Sequence, residues 1–269
     1  MKKLFVLLFS LLLVACGGSD SDNTTIKVSC TAEPHATILE QAEPILKEKG
    51  YDLDIQILDN YFIFNKALDA GDVDANYFQH VPFFEGEVNE KGYDLVNAGG
   101  IHIEPFAFYS KTYTSIDQVT SDARVIISNS IADHGRLLTI LEDNGLITLK
   151  DGVDSINATI DDIVDEKSVL KKANFEEINP ELLTMTYNAG DGDLVAINGN
   201  YAISAGLNPL KDSLIIESAG SDNPYVNIVA CKKGNENSDK VKVLVEVLKS
   251  DEIKNFITET YQGSVIPAE

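Results

Sequence analysis

Ser130, Asp133 and His134 place a hydroxyl, an acid and an imidazole within five residues, the side-chain types of a nucleophile, its base and an orienting group. A catalytic triad is a spatial arrangement, and three members inside one short turn do not easily adopt it, so this cluster reads as a helix start rich in capping residues. No Gly-x-Ser-x-Gly, His-Glu-x-x-His, Gly-x-Gly-x-x-Gly or Walker A pattern occurs in the chain, and a non-enzyme is expected. His35, His80, His102 and His134 contain no pair at metal-ligand spacing, so each is expected as an isolated polar contact, with no metal and no cofactor. Asn188-Ala-Gly-Asp-Gly-Asp-Leu194 has the look of a calcium loop but lacks the glutamate at its twelfth position, which leaves a turn.

The elements that must position these residues alternate between strand and helix. Leu53 to Leu58 alternates with period two, whereas Ile38, Leu39, Ala42, Ile45 and Leu46 recur at helical spacing across a segment that Pro44 is expected to kink. Further strands are predicted at Asp94 to Asn97, Phe106 to Ser110, Arg124 to Ser128, Leu194 to Ile197, Leu214 to Glu217 and Asn227 to Ala230. Helices are predicted at Arg136 to Asn144, closed by Gly145, and at Lys240 to Lys249. Such alternation indicates an α/β protein with largely parallel sheets. Cys30 and Cys231 both sit in apolar strand-like runs, where buried free thiols are expected rather than a disulfide.

The 269 residues carry 43 acidic and 21 basic side chains, a formal net charge of −22, which makes nucleic acid an unlikely partner. The first fifteen residues stand apart. Lys2 and Lys3 precede an apolar run from Leu4 to Ala15 that is too short to span a bilayer and suits a signal peptide, so residues 1–15 are excluded from fold reasoning. The run ends in Leu13-Val-Ala15-Cys16-Gly17, which resembles the bacterial lipobox, with Cys16 lipidated by palmitate-type acyl chains after cleavage. Residues 16–24 then form a polar tether, and the protein is expected on the outer side of a bacterial cell membrane, held there by its lipid anchor.

One stretch rises well above background. Asp59-Asn-Tyr61, Asn65-Lys-Ala-Leu68, Gly71-Asp-Val-Asp-Ala-Asn76 and Phe78-Gln-His80-Val-Pro82 follow one another in order. Gly135-Arg136, Asn144 to Gly152, Ala196-Ile-Asn198 with Tyr201-Ala202, and Pro224-Tyr-Val-Asn227 continue the pattern downstream. This set resembles the NlpA-type methionine-binding lipoproteins, substrate receptors of bacterial methionine ABC importers. The resemblance implies a type II periplasmic-binding-protein fold, two α/β lobes joined by two crossing strands. Lobe 1 is expected at residues 25–110 plus 222–269 and lobe 2 at 111–221, with crossings near Lys111 to Ser115 and Ser218 to Asn223. It also implies a monomeric receptor that delivers a small molecule, L-methionine or a close derivative, to an ABC transporter permease.

The expected site follows from the same resemblance. Arg136, one of two arginines in the chain, offers a fork to a carboxylate beside a helix start. Asn76, Asn198 and Asn227 orient the amino and carboxylate groups, and Tyr61, Phe78 and His80 surround the thioether. Ser128, Ser130, Ile131, Ala132 and Asp133 depart from the family's Pro-Asn-Asp-Pro-Thr-Asn-x-Gly-Arg pattern, and the added acid at Asp133 opens the identity of the ligand. Another amino acid or a methionine-containing dipeptide is the alternative. A non-transport surface lipoprotein and a lipoprotein enzyme are the remaining readings.

Overall fold

The computed structural model describes residues 24–269 except 219, 221 and 222; the signal peptide, Cys16 and all but the last residue of the tether lie outside them. The chain first forms β1 (Thr25–Cys30), α1 (Thr37–Glu48), β2 (Asp52–Ile57), α2 (Tyr61–Ala70), β3 (Ala75–His80), α3 (Val81–Lys91) and β4 (Leu95–Ile103). It then passes through β5 (Ala107–Tyr109), β6 (Val125–Ser128), α4 (Ile131–Asp143), β7 (Phe175–Ile178), α5 (Leu183–Ala189), β8 (Leu194–Ile197), α6 (Gly199–Ser204), α7 (Pro209–Asp212) and β9 (Ile215–Ile216). It returns in β10 (Val226–Lys232), α8 (Asp239–Leu248), α9 (Asp251–Tyr261) and β11 (Ile266–Pro267).

Two sheets result, one in the order β11-β4-β10-β3-β1-β2 and the other β7-β6-β8-β5-β9. Each has its own apolar core. Ile26, Val28, Ile38, Leu39 and Leu46 pack with Leu244, Ile253 and Ile257 around the first sheet, and Phe106, Phe108, Leu137, Leu138 and Leu141 pack with Val125 and Leu194 around the second. The two-lobed α/β architecture is therefore present, but the expectation of largely parallel sheets needs correction. β1 runs parallel to β2 and β3, and β6 to β7 and β8, whereas β10 is antiparallel to β3 and β4, β11 to β4, and β5 to β8 and β9. The physical reason is the crossing itself: β5 has just left one lobe and β10 has just returned to it, so each enters its sheet against the local direction.

The lobe boundary at residue 110 also moves. Ala107, Phe108 and Tyr109 pair with Ile197, Ala196 and Val195 in the second sheet, so the first passage between lobes is the short stretch 104–106 rather than Lys111 to Ser115. The apolar run of Phe106 to Ser110 suits either sheet, and only its partners decide. The return passage lies between Ile216 and Val226; of the expected crossing from Ser218 to Asn223, residues 219, 221 and 222 are outside the described residues, as are the residues on either side of the expected lower boundary of lobe 1 at 222.

Pro44 lies within α1, which runs through it to Glu48. The Arg136 to Asn144 helix begins at Ile131, five residues earlier than its apolar periodicity indicates, which puts Arg136 in the second turn instead of the first. Cys30 and Cys231 are buried and free. They sit on strands separated by β3, about two strand spacings or ~9.5 Å apart, beyond the reach of a disulfide.

Gly135 fixes how α4 meets the rest of its lobe. A Cβ there would lie 2.2 Å from the backbone oxygen of Ser155 and 2.4 Å from that of Ile156, so only a bare Cα allows the helix to rest on this loop. Gly135→Ala is expected to cost about 1–3 kcal/mol through forced backbone displacement. Urea unfolding checks this; a variant as stable as the parent would show that the loop yields without cost.

Candidate functional site

The ends of both sheets and the first interlobe passage converge on a cavity lined by Tyr61, Phe78, His80, Glu104, Asp133, Arg136, Asn198, Asn200 and Asn227, among others. Six of the seven expected ligand residues, Tyr61, Phe78, His80, Arg136, Asn198 and Asn227, line it.

Asn76 is the exception. It is fully buried in β3, donates through Nδ2 to Asn65 Oδ1 at 2.9 Å and accepts from Gln79 Nε2 at 3.0 Å. Two residues back from Phe78 along a strand is roughly 6.6 Å, which carries Asn76 below the cavity into a self-satisfied amide cluster. Its role is structural.

The apolar wall is built from α2, β3 and α3. Phe78 stacks on Phe64 with centroids 4.0 Å apart, and Phe83 meets Phe78 edge-on at 5.9 Å. Tyr61 stacks against Tyr201 at 5.1 Å and donates its hydroxyl to Asn200 Oδ1 at 2.5 Å. This second contact reaches from one lobe to the other.

The polar wall begins where β3 ends. His80 caps α3 by accepting the Phe83 N–H at Nδ1, 3.2 Å away, so its proton sits on Nε2 and is donated to Asp133 Oδ1 at 2.9 Å. Asp133 Oδ2 accepts from Asn198 Nδ2 at 3.2 Å. Burial by itself would raise the Asp133 carboxyl, but the bonds from His80 and Asn198, with the charge of Arg136, hold it below the ordinary carboxylate range. It lies in the first turn of α4, where the helix dipole also favours an anion. Asp133 therefore faces the cavity, and the departure from the family pattern falls on the site itself. His134 instead donates to the Ser128 carbonyl at 2.9 Å, so Ser130, Asp133 and His134 do not assemble a triad. Nor does Ser130, though it precedes α4 as its cap residue, supply a side-chain cap bond.

Arg136 is 5% exposed and its fork is already engaged. Nε donates to Glu217 Oε1 at 2.9 Å, and Nη2 donates to Glu217 Oε2 and to the Glu104 carbonyl, each at 2.5 Å. The guanidinium lies 4.5 Å above the Tyr225 ring. Nη1 makes no hydrogen bond among the described residues. The expected fork is not free, because Glu217 already holds the Nε and Nη2 side of the group.

Sequence reasoning missed Glu104, Asn200 and the pairing of two histidines. His35 and His102 are not isolated: they lie on either side of Glu104, and the three could together offer a metal ion one ligand atom each. Tyr77 donates to His102 Nδ1, His102 Nε2 donates to Glu104 Oε1 at 2.9 Å, and His35 Nε2 donates to Asn227 Oδ1 at 3.1 Å while Thr31 holds its Nδ1 at 2.7 Å. Every ring nitrogen of the pair is occupied by a protein partner. The available signal was His102-x-Glu104 in a run otherwise apolar from Ile101 to Phe108.

Burial lowers His35 from 6.5 to about 4 and His102 to about 3, and pushes the Glu104 carboxyl up. Between about pH 4.5 and 6 the unfolded chain therefore binds imidazole protons at His35 and His102 that the folded chain rejects, while the raised Glu104 carboxyl opposes this with at most one proton. Two groups against one leaves net proton uptake on unfolding, so stability is expected to rise with pH across this window. Urea unfolding at pH 5.0 and 6.5 measures it. A stability that is flat or falls as pH rises would contradict the assignment.

The family model for NlpA lipoprotein matches residues 26–269. The methionine-binding lipoprotein MetQ of Bacillus subtilis (strain 168) is 48% identical over 275 residues, with 99% of each chain covered. The D-methionine-binding lipoprotein MetQ of Escherichia coli (strain K12) is 33% identical, with 97% of this chain and 94% of that one covered. Among solved structures, a nutrient-binding protein from Burkholderia cenocepacia bound to methionine matches with a TM-score of 0.83 and 33% identity, covering 91% of this chain and 100% of that one.

Proposed function

This chain belongs to the NlpA lipoprotein family, and from that premise we propose that it is the substrate receptor of an ABC importer, with L-methionine or a close derivative as its ligand. The observation that carries this reading is an interlobe cavity with aromatic rings on one wall and charged groups on the other, in a chain 48% identical to a protein named for methionine binding. A zwitterion needs a partner for each charge and a slot for its side chain. Arg136 Nη1 meets the carboxylate, the acids opposite meet the ammonium, and Phe78, Tyr61 and Phe83 take the polarizable thioether. Relatives of this chain are named for binding methionine, which supports binding without turnover.

Asp133 favours a second reading, in which another amino acid, the D-enantiomer or a methionine-containing dipeptide is preferred. Mass spectrometry of the small molecule released on denaturing natively purified protein tests both. Recovery of methionine supports the first reading, and recovery of a dipeptide or a different amino acid in its place overturns it.

The receptor works as a monomer, anchored through Cys16 outside the cytoplasm and docking on the importer's permease. No helix among the described residues is long and apolar enough to cross a membrane; the lipobox-like run from Leu13 to Gly17 supports anchoring through the lipid. Cys16→Ser is expected to shift most of the protein out of the membrane-bound lipidated pool, as unprocessed or released chain. Unchanged labelling by a palmitate analogue in that variant would sink the Cys16 assignment.

A further inference from the structure

Three carboxylates face or flank the cavity, Glu104, Asp133 and Glu217, against a single guanidinium, Arg136, which Glu217 already holds by two bonds. Asp133 has His80 and Asn198 as donors. Glu104 has no cationic side chain bonded to it: Arg136 touches its backbone oxygen, and its carboxylate is held by His102, by the nearby His35 and by the Asn200 backbone N–H. Both histidines are held neutral by burial and supply no countercharge. A buried carboxylate braced by neutral donors on one side and facing a cavity on the other calls for a cation.

Two further observations place that cation. Asn198 Oδ1 is buried without a hydrogen-bond partner, an acceptor at the same cavity wall. A Cβ on Gly199 would fall 2.6 Å from Glu104 Oε2, so the bare Cα lets the Asn198 to Asn200 turn pack against one edge of the carboxylate and bring Asn198 to the same wall. Glu104, Asp133 and Asn198 Oδ1 thus bring three acceptors to one cavity, the complement of a primary ammonium with its three donors.

We propose that Glu104 is the ammonium-binding residue of this cleft and that, with Asp133 and Asn198 Oδ1, it restricts the ligand to molecules with an unblocked primary amine. This rests on the amino-acid-receptor reading above. It goes further by excluding N-acyl amino acids and 2-hydroxy acids of the same side chain, which keep the carboxylate and the thioether but not the charge. Gln in place of Glu104 retains shape and one acceptor oxygen while removing that charge.

The test is calorimetric titration of wild type and Glu104→Gln with L-methionine, N-acetyl-L-methionine and 2-hydroxy-4-(methylthio)butanoate. In the wild type, both analogues are expected to bind at least roughly a hundredfold more weakly than L-methionine, since each leaves buried acceptors unmet. In Glu104→Gln, L-methionine should weaken roughly thirtyfold or more while the hydroxy acid changes little, so the gap between them narrows. A hydroxy acid bound as tightly as L-methionine by the wild type overturns the proposal without any variant, and so does full discrimination in a Glu104→Gln protein that melts cooperatively. If the wild type binds none of the three, the methionine reading fails separately. The natively released ligand then decides this proposal by itself, because a primary amine upholds it and a blocked or absent amine overturns it.

Discussion

Arg136→Ala is expected to weaken L-methionine binding by roughly thirtyfold to several thousandfold, the usual consequence of removing one partner of a desolvated charge pair. It should also lower stability, by up to about 3–5 kcal/mol, because partly buried Glu217 loses the cation that holds both its oxygens and keeps only the neutral donors Asn223 Nδ2 and the Phe106 N–H. The two effects separate in a double variant. Arg136→Ala with Glu217→Gln should recover much of the stability but none of the affinity, since the guanidinium at the cavity remains absent. Calorimetry together with urea unfolding reads both quantities. Native-like affinity in folded Arg136→Ala would reduce the residue to a structural ion pair.

Phe78→Ala is expected to cost about 3–5 kcal/mol of stability, the range for a large aromatic removed from a packed cluster. Phe78 is 4% exposed and lies against Phe64 and Phe83, so the loss opens a void that its neighbours cannot fill without leaving their own contacts. The same ring forms part of the cavity wall, so methionine affinity should fall as well, by the contact and the lost sulfur–ring interaction of about 0.3–1.5 kcal/mol. Phe78→Leu should restore most of the stability and less of the affinity. A Phe78→Ala protein with unaltered melting and binding would show that the ring is neither core nor ligand wall.

Much of this was legible in the sequence because it is local. The strand at Leu194 to Ile197 and the helix at Lys240 to Lys249 follow from apolar periodicity over a few residues, and the structure places both within a residue or two of those bounds. β3 was harder. All six of its residues are buried, so Asn76 to His80 shows no alternation and is recognisable only by its motif.

What failed required knowledge of partners distant in sequence. Ala107 to Tyr109 reads as a strand, but whether it belongs to the first or the second sheet depends on Val195 to Ile197, nearly ninety residues on. Asn76 and His80 share a motif, yet depth along β3 puts one beneath the cavity and the other on its wall. The His35, His102 and Glu104 cluster exists because β10 returns from the second lobe to sit between β3 and β4, bringing Asn227 to His35. No spacing within the chain announces that.

The central claim is that the interlobe cavity receives a free methionine. Titration of the soluble domain, unfolded and refolded to remove any carried ligand, measures this directly. One-to-one binding of L-methionine with a melting temperature that rises with ligand concentration is the predicted result. Failure to bind L-methionine at millimolar concentration by a cooperatively folded protein that does bind glycyl-methionine would contradict it.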